Sequence, residues 1–259
     1  MDLFKASLFK QHNDINRIII MSINNDKVVV SLYEFTGVAL RPWAKRGYTC
    51  FAYDLQHDNT KIERFDGGGS IHYLHADLHN TLSLWHIYKA HRHDDLVFAM
   101  AFPVCTDLAV SGAAHFASKA KADPDFQTKA AGYARKCSHL FASWCVPYFI
   151  ENPVSRLATL WRSPDYRFHP FEYGNYIPAA EADHPLYPNH IAPMDAYSKR
   201  TCLWTGGGFK MPDAKPVDCE SFGNSRQHSS LGGKSLRTKN IRSATPRGFA
   251  EAIAVSNAA

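Results

Sequence analysis

Five short apolar runs, each emptying into a turn or an acidic residue, constrain this chain more than any other feature. The first, Lys27 to Tyr33 (KVVVSLY), is β-branched and unbroken, as expected of a strand buried on both faces. It gives way to Glu34-Phe35-Thr36-Gly37, then to a helix carrying Pro42 in its first turn and closing at Gly47. Tyr48 to Tyr53 is the next strand, ending at Asp54. The same order then recurs: Ile71 to Ala76 ends at Asp77, Leu82 to Ala90 is helical, and Leu96 to Ala101 empties into Phe102-Pro103-Val104-Cys105. Tyr148 to Ile150 is a short fifth strand running into Glu151-Asn152-Pro153. Strands alternating with helices predict an α/β fold with a doubly wound, mostly parallel sheet. A chain of 259 residues that is 45% hydrophobic has enough apolar surface for one such core.

Between the last two strands, Phe126, Ala130, Tyr133, Cys137, Leu140, Phe141 and Trp144 step by three or four, which predicts one helix face and assigns Cys137 to packing. Beyond it, residues 163 to 193 are rich in Pro, Tyr, His and Asn without a sustained period, and predict irregular loop with short strands. Thr201 to Thr205 (TCLWT) is a late strand, with Cys202 as packing. Thr245 and Pro246 read as the cap and first turn of a terminal helix reaching Val255. The expected organisation is an N-terminal extension over 1–26, a catalytic domain over 27–205, a short basic loop region over 206–244 and a C-terminal helix over 245–259. Met21 opens a segment that begins like an ordinary coding start, so residues 1–20 stand as an extension or a misassigned start.

Several classes are set aside by composition. Lys and Arg number 29 against 24 Asp and Glu, a net charge of +5 that permits a polyanionic partner without demanding one. No window approaches the roughly 20 apolar residues of a membrane span, and the N-terminus lacks an export signal. Six cysteines without a C-x-x-C pair then favour reduced thiols and a cytoplasmic setting. The histidines (His72, His75, His79, His91, His93, His184, His190) have no Cys or carboxylate partner at zinc-ligand spacing, so no metal is expected.

The chemistry-bearing residues stand where strands end, and in open α/β sheets ligands bind outside those carboxyl ends. Asp54, 17 positions after Gly37, is placed to accept hydrogen bonds from ribose hydroxyls. There is no G-x-G-x-x-G and no Walker lysine, which argues against a pyrophosphate and for a cofactor with ribose but no phosphate, such as S-adenosylmethionine. Cys105 is either a small buried apolar residue or a thiolate nucleophile. Glu151 is either a carboxylate at a helix N-terminus or a desolvated acid able to share a proton.

EFTG at 34–37, PVCT at 103–106, ENP at 151–153 and KRTCLW at 199–204 together resemble the DNA cytosine-5 methyltransferases, in that family's order. The likeness is closest to the small phage and prophage forms, which carry a late segment like RSATPRGFA (242–250), and it covers about residues 27–255. The resemblance implies a Rossmann-like, S-adenosylmethionine-dependent fold in which Cys105 adds to carbon 6 of a flipped cytosine. Glu151 would contact the ring nitrogen at position 3 and the exocyclic amine, and Arg200 the base carbonyl oxygen. Phe35, Thr36, Gly37, Asp54, Asp77 and Pro103 would surround the cofactor, Asp54 at the ribose and Asp77 near the adenine amine. A phage setting would place the protein in a bacterial cytoplasm, protecting DNA from restriction.

Four positions depart from the family pattern: Ala39 stands for a second glycine, Val104 for proline, Ala109 for serine (with Ser111 nearby) and Ser198 for glutamine. The long recognition region of sequence-specific members is missing, which implies low specificity. Six basic residues and no acidic one lie between Arg226 and Arg247. Arg226, Lys234, Arg237, Lys239 and Arg242, with Lys199, are therefore the expected phosphate contacts on double-stranded DNA, unless the stretch is merely a solvated loop. Tyr166, Phe168, Phe171, Tyr173 and Tyr176 either stack on bases or cap the core. A monomer is expected. Two rival readings stay open: modification of a free pyrimidine nucleotide or transfer of a group other than methyl, and a catalytically weak DNA-binding protein that keeps the fold.

Overall fold

In a computed structural model of the chain, residues 24–220, 225–229, 231–232 and 235–258 are described. The expected extension, up to residue 23, and Lys234 lie outside them. One eight-stranded sheet runs in the order β3-β4-β2-β1-β5-β6-β8-β7. Its strands are β1 (Lys27–Leu32), β2 (Thr49–Asp54), β3 (Lys61–Arg64), β4 (Ser70–His75), β5 (Asp95–Ala101), β6 (Tyr148–Pro153), β7 (Tyr166–Phe168) and β8 (Thr201–Gly206). The five central strands β4, β2, β1, β5 and β6 are parallel. β3, β8 and β7 join antiparallel. The result is an α/β fold with one mostly parallel mixed sheet, consistent with a Rossmann-like architecture.

The helices are α1 (Arg41–Ala44), α2 (Thr81–His91), α3 (Phe116–Ala122), α4 (Phe126–Trp144), α5 (Leu157–Leu160), α6 (Arg226–Ser229), α7 (Leu236–Ser243) and α8 (Arg247–Asn257). They build two cores because alternate side chains of each strand face opposite ways. Val28, Val30, Leu32 and Ile150 pack with Leu84 and Ile87 of α2 and with Ala131, Cys137 and Phe141 of α4. Val29, Phe98 and Phe149 pack with Trp43 of α1 and with Phe249 and Ile253 of α8. Burial on both faces is why β1 shows no polar alternation. Among the described residues no helix is long and apolar enough to cross a membrane.

Four expectations are corrected. β3 was not anticipated: KIER is polar, and as an edge strand it leaves Ile62 45% exposed. β6 does not stop at Ile150, because antiparallel pairing of Glu151 with Leu203, Asn152 with Cys202 and Pro153 with Thr201 carries it further. The terminal helix starts after Pro246, with Asp195 Oδ2 accepting from the Gly248 amide at 3.0 Å in place of a Thr245 cap. Within 206–244 the described residues are not loop alone: they include α6 and α7, and Ser235 Oγ caps α7 by accepting from the Thr238 amide.

Candidate active site

Walking the sheet, the chain leaves β1 toward β2 and β4, then returns to lay β5 on the other side of β1. The crevice at such a reversal lies between the loops that follow β1 and β5. Here those loops are Tyr33 to Gly37 and Phe102 to Cys105.

The first loop is organised by Glu34, which is 3% exposed. Its Oε1 accepts from the Thr36 amide (3.1 Å), the Thr36 hydroxyl (2.9 Å) and the Gly37 amide (2.7 Å). Oε2 is buried without a partner, and burial pushes the carboxyl up to about 7. Gly37 sits at φ 72°, where a Cβ would lie 2.2 Å from the Tyr73 hydroxyl, so both conformation and space require glycine. Tyr33 itself holds a φ of 58°, a strained value for an aromatic residue. Phe35 is 37% exposed and stacks on His57, whose Nε2 lies 3.0 Å from the Glu34 carbonyl oxygen.

Asp54 ends β2, and Asp77 follows the neighbouring strand β4. Asp54 is buried and its Oδ1 accepts from the Gln56 amide at 2.8 Å; Asp77 is exposed and its Oδ1 accepts from the His79 amide. Leu55 beside them is 56% exposed. Asp54, with the exposed Leu55 following it and the exposed Phe35 on the loop after the neighbouring strand β1, can accept hydrogen bonds from a pair of hydroxyls at this rim.

The second loop carries Cys105 and is pinned from two sides. The Cys105 carbonyl accepts from the amides of Leu108 (2.9 Å) and Ala109 (2.8 Å). Asn152, buried in β6, donates from Nδ2 to the carbonyl of the buried Pro103 at 3.1 Å. A bridge between Ala109 and Ser155 and a bond from the Arg156 amide to the Leu108 carbonyl stitch the loop to the end of β6. From the other side, Gln127 of α4 donates to the Asp107 carbonyl and Lys119 of α3 pairs with the Asp107 carboxylate. Ala109 is held by backbone pairing alone and needs no hydroxyl.

Cys105 and Glu151 are each half-buried and face each other electrostatically. Burial is the main influence holding both above their ordinary values; the Glu151 charge raises Cys105 further, and Lys199 opposes the shift in both. The cation acting on this pair is thus Lys199, not Arg200. Arg200 is exposed and acts weakly on Cys202, two residues along. Side-chain alternation explains the difference: Lys199 precedes β8 on the parity of Leu203, which pairs with Glu151 and packs in the α8-side core, whereas Arg200 shares the parity of Cys202 in the opposite core.

Of the expected phosphate contacts, Lys199 and Arg242 are engaged within the protein and Arg226 in a surface ion pair. Arg226 pairs with Glu220. Arg242 donates to the carbonyls of Gln227 (3.3 Å) and Leu231 (2.7 Å), and Lys199 Nζ donates to the Arg242 carbonyl at 3.1 Å. Arg237 and Lys239 remain exposed on α7. Among the aromatics, Phe168 and Tyr173 are core residues packed on Phe249, the first with ring centroids 3.9 Å apart. Tyr176 bonds the Asp213 carbonyl under the Lys215 ammonium, and Phe171 is half-buried. Tyr166 alone of the five is exposed.

No family model and no curated protein matches this chain. A thiol and an acid stand at the carboxyl edge of adjacent parallel strands under the influence of one ammonium, on the same rim as a glycine turn and the buried Asp54. Such a set can add sulfur to an electron-poor ring while supplying the proton that the ring nitrogen needs. Sequence reasoning placed Lys199 on DNA, gave Asn152 no role of its own and left Glu34 unassigned. The signals were the Asn of ENP and the acid two residues before Thr36, an Asx-turn-like spacing.

Proposed function

We propose that this chain is an S-adenosylmethionine-dependent DNA cytosine-5 methyltransferase of the small, weakly specific type. The observation that carries the reading is that Cys105 and Glu151 stand at the ends of the adjacent strands β5 and β6, beside the switch-point crevice, with the Lys199 charge acting on both. The residues present suit the cofactor: Glu34 keeps one buried carboxylate oxygen unpartnered, and Phe35 and Leu55 offer exposed apolar side chains on the loops after β1 and β2. When bound, the cofactor supplies an electrophilic methyl group. The protein's part is to hold the base and move protons. Cys105 Sγ, once ionised, forms a bond to carbon 6, and Glu151 gives its proton to ring nitrogen 3 as the ring gains electron density. Lys199 steadies the negative charge shared by thiolate and carboxylate. After carbon 5 has been methylated, its proton passes to solvent, the freed electron pair forms the carbon 5–carbon 6 double bond, the sulfur–carbon pair returns to Cys105 as thiolate, and Glu151 takes back the proton from ring nitrogen 3, which restores the aromatic ring.

The test is nucleoside mass spectrometry on DNA from cells expressing the chain and its Cys105→Ser variant. A cytosine heavier by one methyl group, absent from the variant, is the expected result; unchanged DNA in both would remove the reading. The engagement of Arg226, Arg242 and Lys199 by other protein groups favours one second reading, modification of a free pyrimidine nucleotide. Activity independent of DNA length would select it.

A further inference from the structure

Arg200, which the proposed reaction leaves idle, has an exposed neighbour of the same charge. In β7, Phe168 turns into the α8-side core, so Arg167 faces the opposite way, on the side of Cys202 with which it pairs. Arg200 precedes Cys202 by two positions and shares its parity, which makes the two arginines diagonal neighbours on one face. Diagonal neighbours on paired strands lie about 7–8 Å apart, within reach of long side chains. Burial pushes the Cys202 thiol up, and the Arg167 charge, then more weakly the Arg200 charge, opposes that shift. Neither arginine joins an ion pair among the described residues. The acids beside these strands are placed otherwise: Asp165 is held by Arg162 and the Thr205 amide, and Glu151, which pairs with Leu203, has the other parity. Like charges set across a sheet repel, and an anion between them removes that cost.

The same face leads to the candidate nucleophile. Cys202 pairs on its other side with Asn152, so Arg167, Cys202 and Asn152 form one row across β7, β8 and β6. Asn152 Nδ2 donates to the Pro103 carbonyl at 3.1 Å, two residues before Cys105. With strands about 4.8 Å apart, Arg167 stands roughly 10 Å from the side chain that anchors the Cys105 loop. We propose that Arg167 and Arg200 form a phosphate-binding pair for the substrate whose ring meets Cys105. Two planar guanidinium forks match the tetrahedral oxygens of a phosphate, which can accept from both at once. The phosphate is a monoester on a free nucleotide or a diester in a DNA strand; the chemistry of recognition is common to both. That the ring is a cytosine rests on the methyltransferase reading, whereas the arginine pair rests on strand register alone.

Equilibrium binding to the full chain, with no cofactor added, tests the pair. The probes are 5′-deoxycytidylate, followed by calorimetric titration, and a short fluorescent DNA duplex, followed by polarisation. Arg167→Gln and Arg200→Gln should each weaken at least one probe by about tenfold, the usual worth of a charge-assisted contact. A loss confined to deoxycytidylate identifies the free nucleotide as the source of the phosphate, and a loss that includes the duplex identifies the strand. Arg167→Lys and Arg200→Lys keep the charge but lose the fork, so they should show a smaller loss, and they keep the test decisive should a glutamine variant unfold. Lys89→Gln is the control, since α2 ends beside the start of β5, at the opposite edge of the sheet. A wild-type chain that binds neither probe overturns the pair. So does unchanged binding in the arginine variants, or an equal loss in Lys89→Gln, which would mean diffuse attraction. Unmodified DNA in cells, with the arginine dependence intact, would sink the methyltransferase reading alone; modified DNA with unchanged binding would sink the pair alone.

Discussion

Glu34 shows how one side chain can be both scaffold and liability. Its carboxyl titrates near 7 in the fold against 4.5 ordinarily, so the folded state holds the extra proton. Stability present below about pH 4.5 is therefore lost as pH rises through 7, by on the order of 3 kcal/mol. Chemical unfolding at a series of pH values should show this slope, and Glu34→Gln should flatten it. Cys105 yields a second expectation. Because burial and Glu151 raise its thiol, alkylation at this residue, read by peptide mass spectrometry, should still be accelerating near pH 9. Lys199→Met should slow it at any lower pH and Glu151→Gln should speed it, whereas Arg200→Met should leave it unchanged. At Gly37, substitution by Ala meets both the φ of 72° and the Tyr73 hydroxyl. The backbone part alone costs about 1–3 kcal/mol, so adding Tyr73→Phe should restore only part of the lost stability in the same unfolding assay.

Among the elements, the parallel strands and α4 were legible because local chemistry decides them: β-branched runs bounded by turn residues, and apolar positions at helical spacing. α4 runs from Phe126 to Trp144, as that spacing requires, and leaves the helix through Cys145 at φ 56°. What sequence could not decide was set by partners far along the chain. Glu151 to Pro153 become strand only because β8 arrives to pair with them. KIER becomes strand only because β4 is there to accept it. Lys199 rather than Arg200 meets Glu151 because of which core Leu203 enters, a fact about packing that adjacent basic letters cannot carry. The aromatics of 163–193 were ambiguous for the same reason, until α8 supplied Phe249. Truncating that ring should be severe: Phe249→Ala removes the contact shared by Phe168, Tyr173 and Phe149. A loss of about 3–5 kcal/mol is expected by denaturant titration.

At the scale of the whole molecule, the net charge of +5 sits on a chain whose late basic stretch is divided: Arg242 is bonded to backbone carbonyls, Arg226 sits in a surface ion pair, and Arg237 and Lys239 stay exposed. If DNA is the partner, Arg237→Gln and Lys239→Gln should each lower the salt dependence of binding by about one contact's worth of slope. Arg242→Gln should chiefly lower the unfolding temperature instead. The placement of α8 has a further consequence, for how the protein is made. An ion pair joins Arg46 to Glu251 across 205 positions, and Phe249 and Ile253 close the sheet face that Trp43, Phe98 and Phe149 line. A nascent chain therefore displays every strand of the sheet before the helix that shields one side of it has left the ribosome. Products cut short ahead of Thr245 would keep that side greasy and open, and would be expected to precipitate in the cell instead of accumulating as a weakened enzyme.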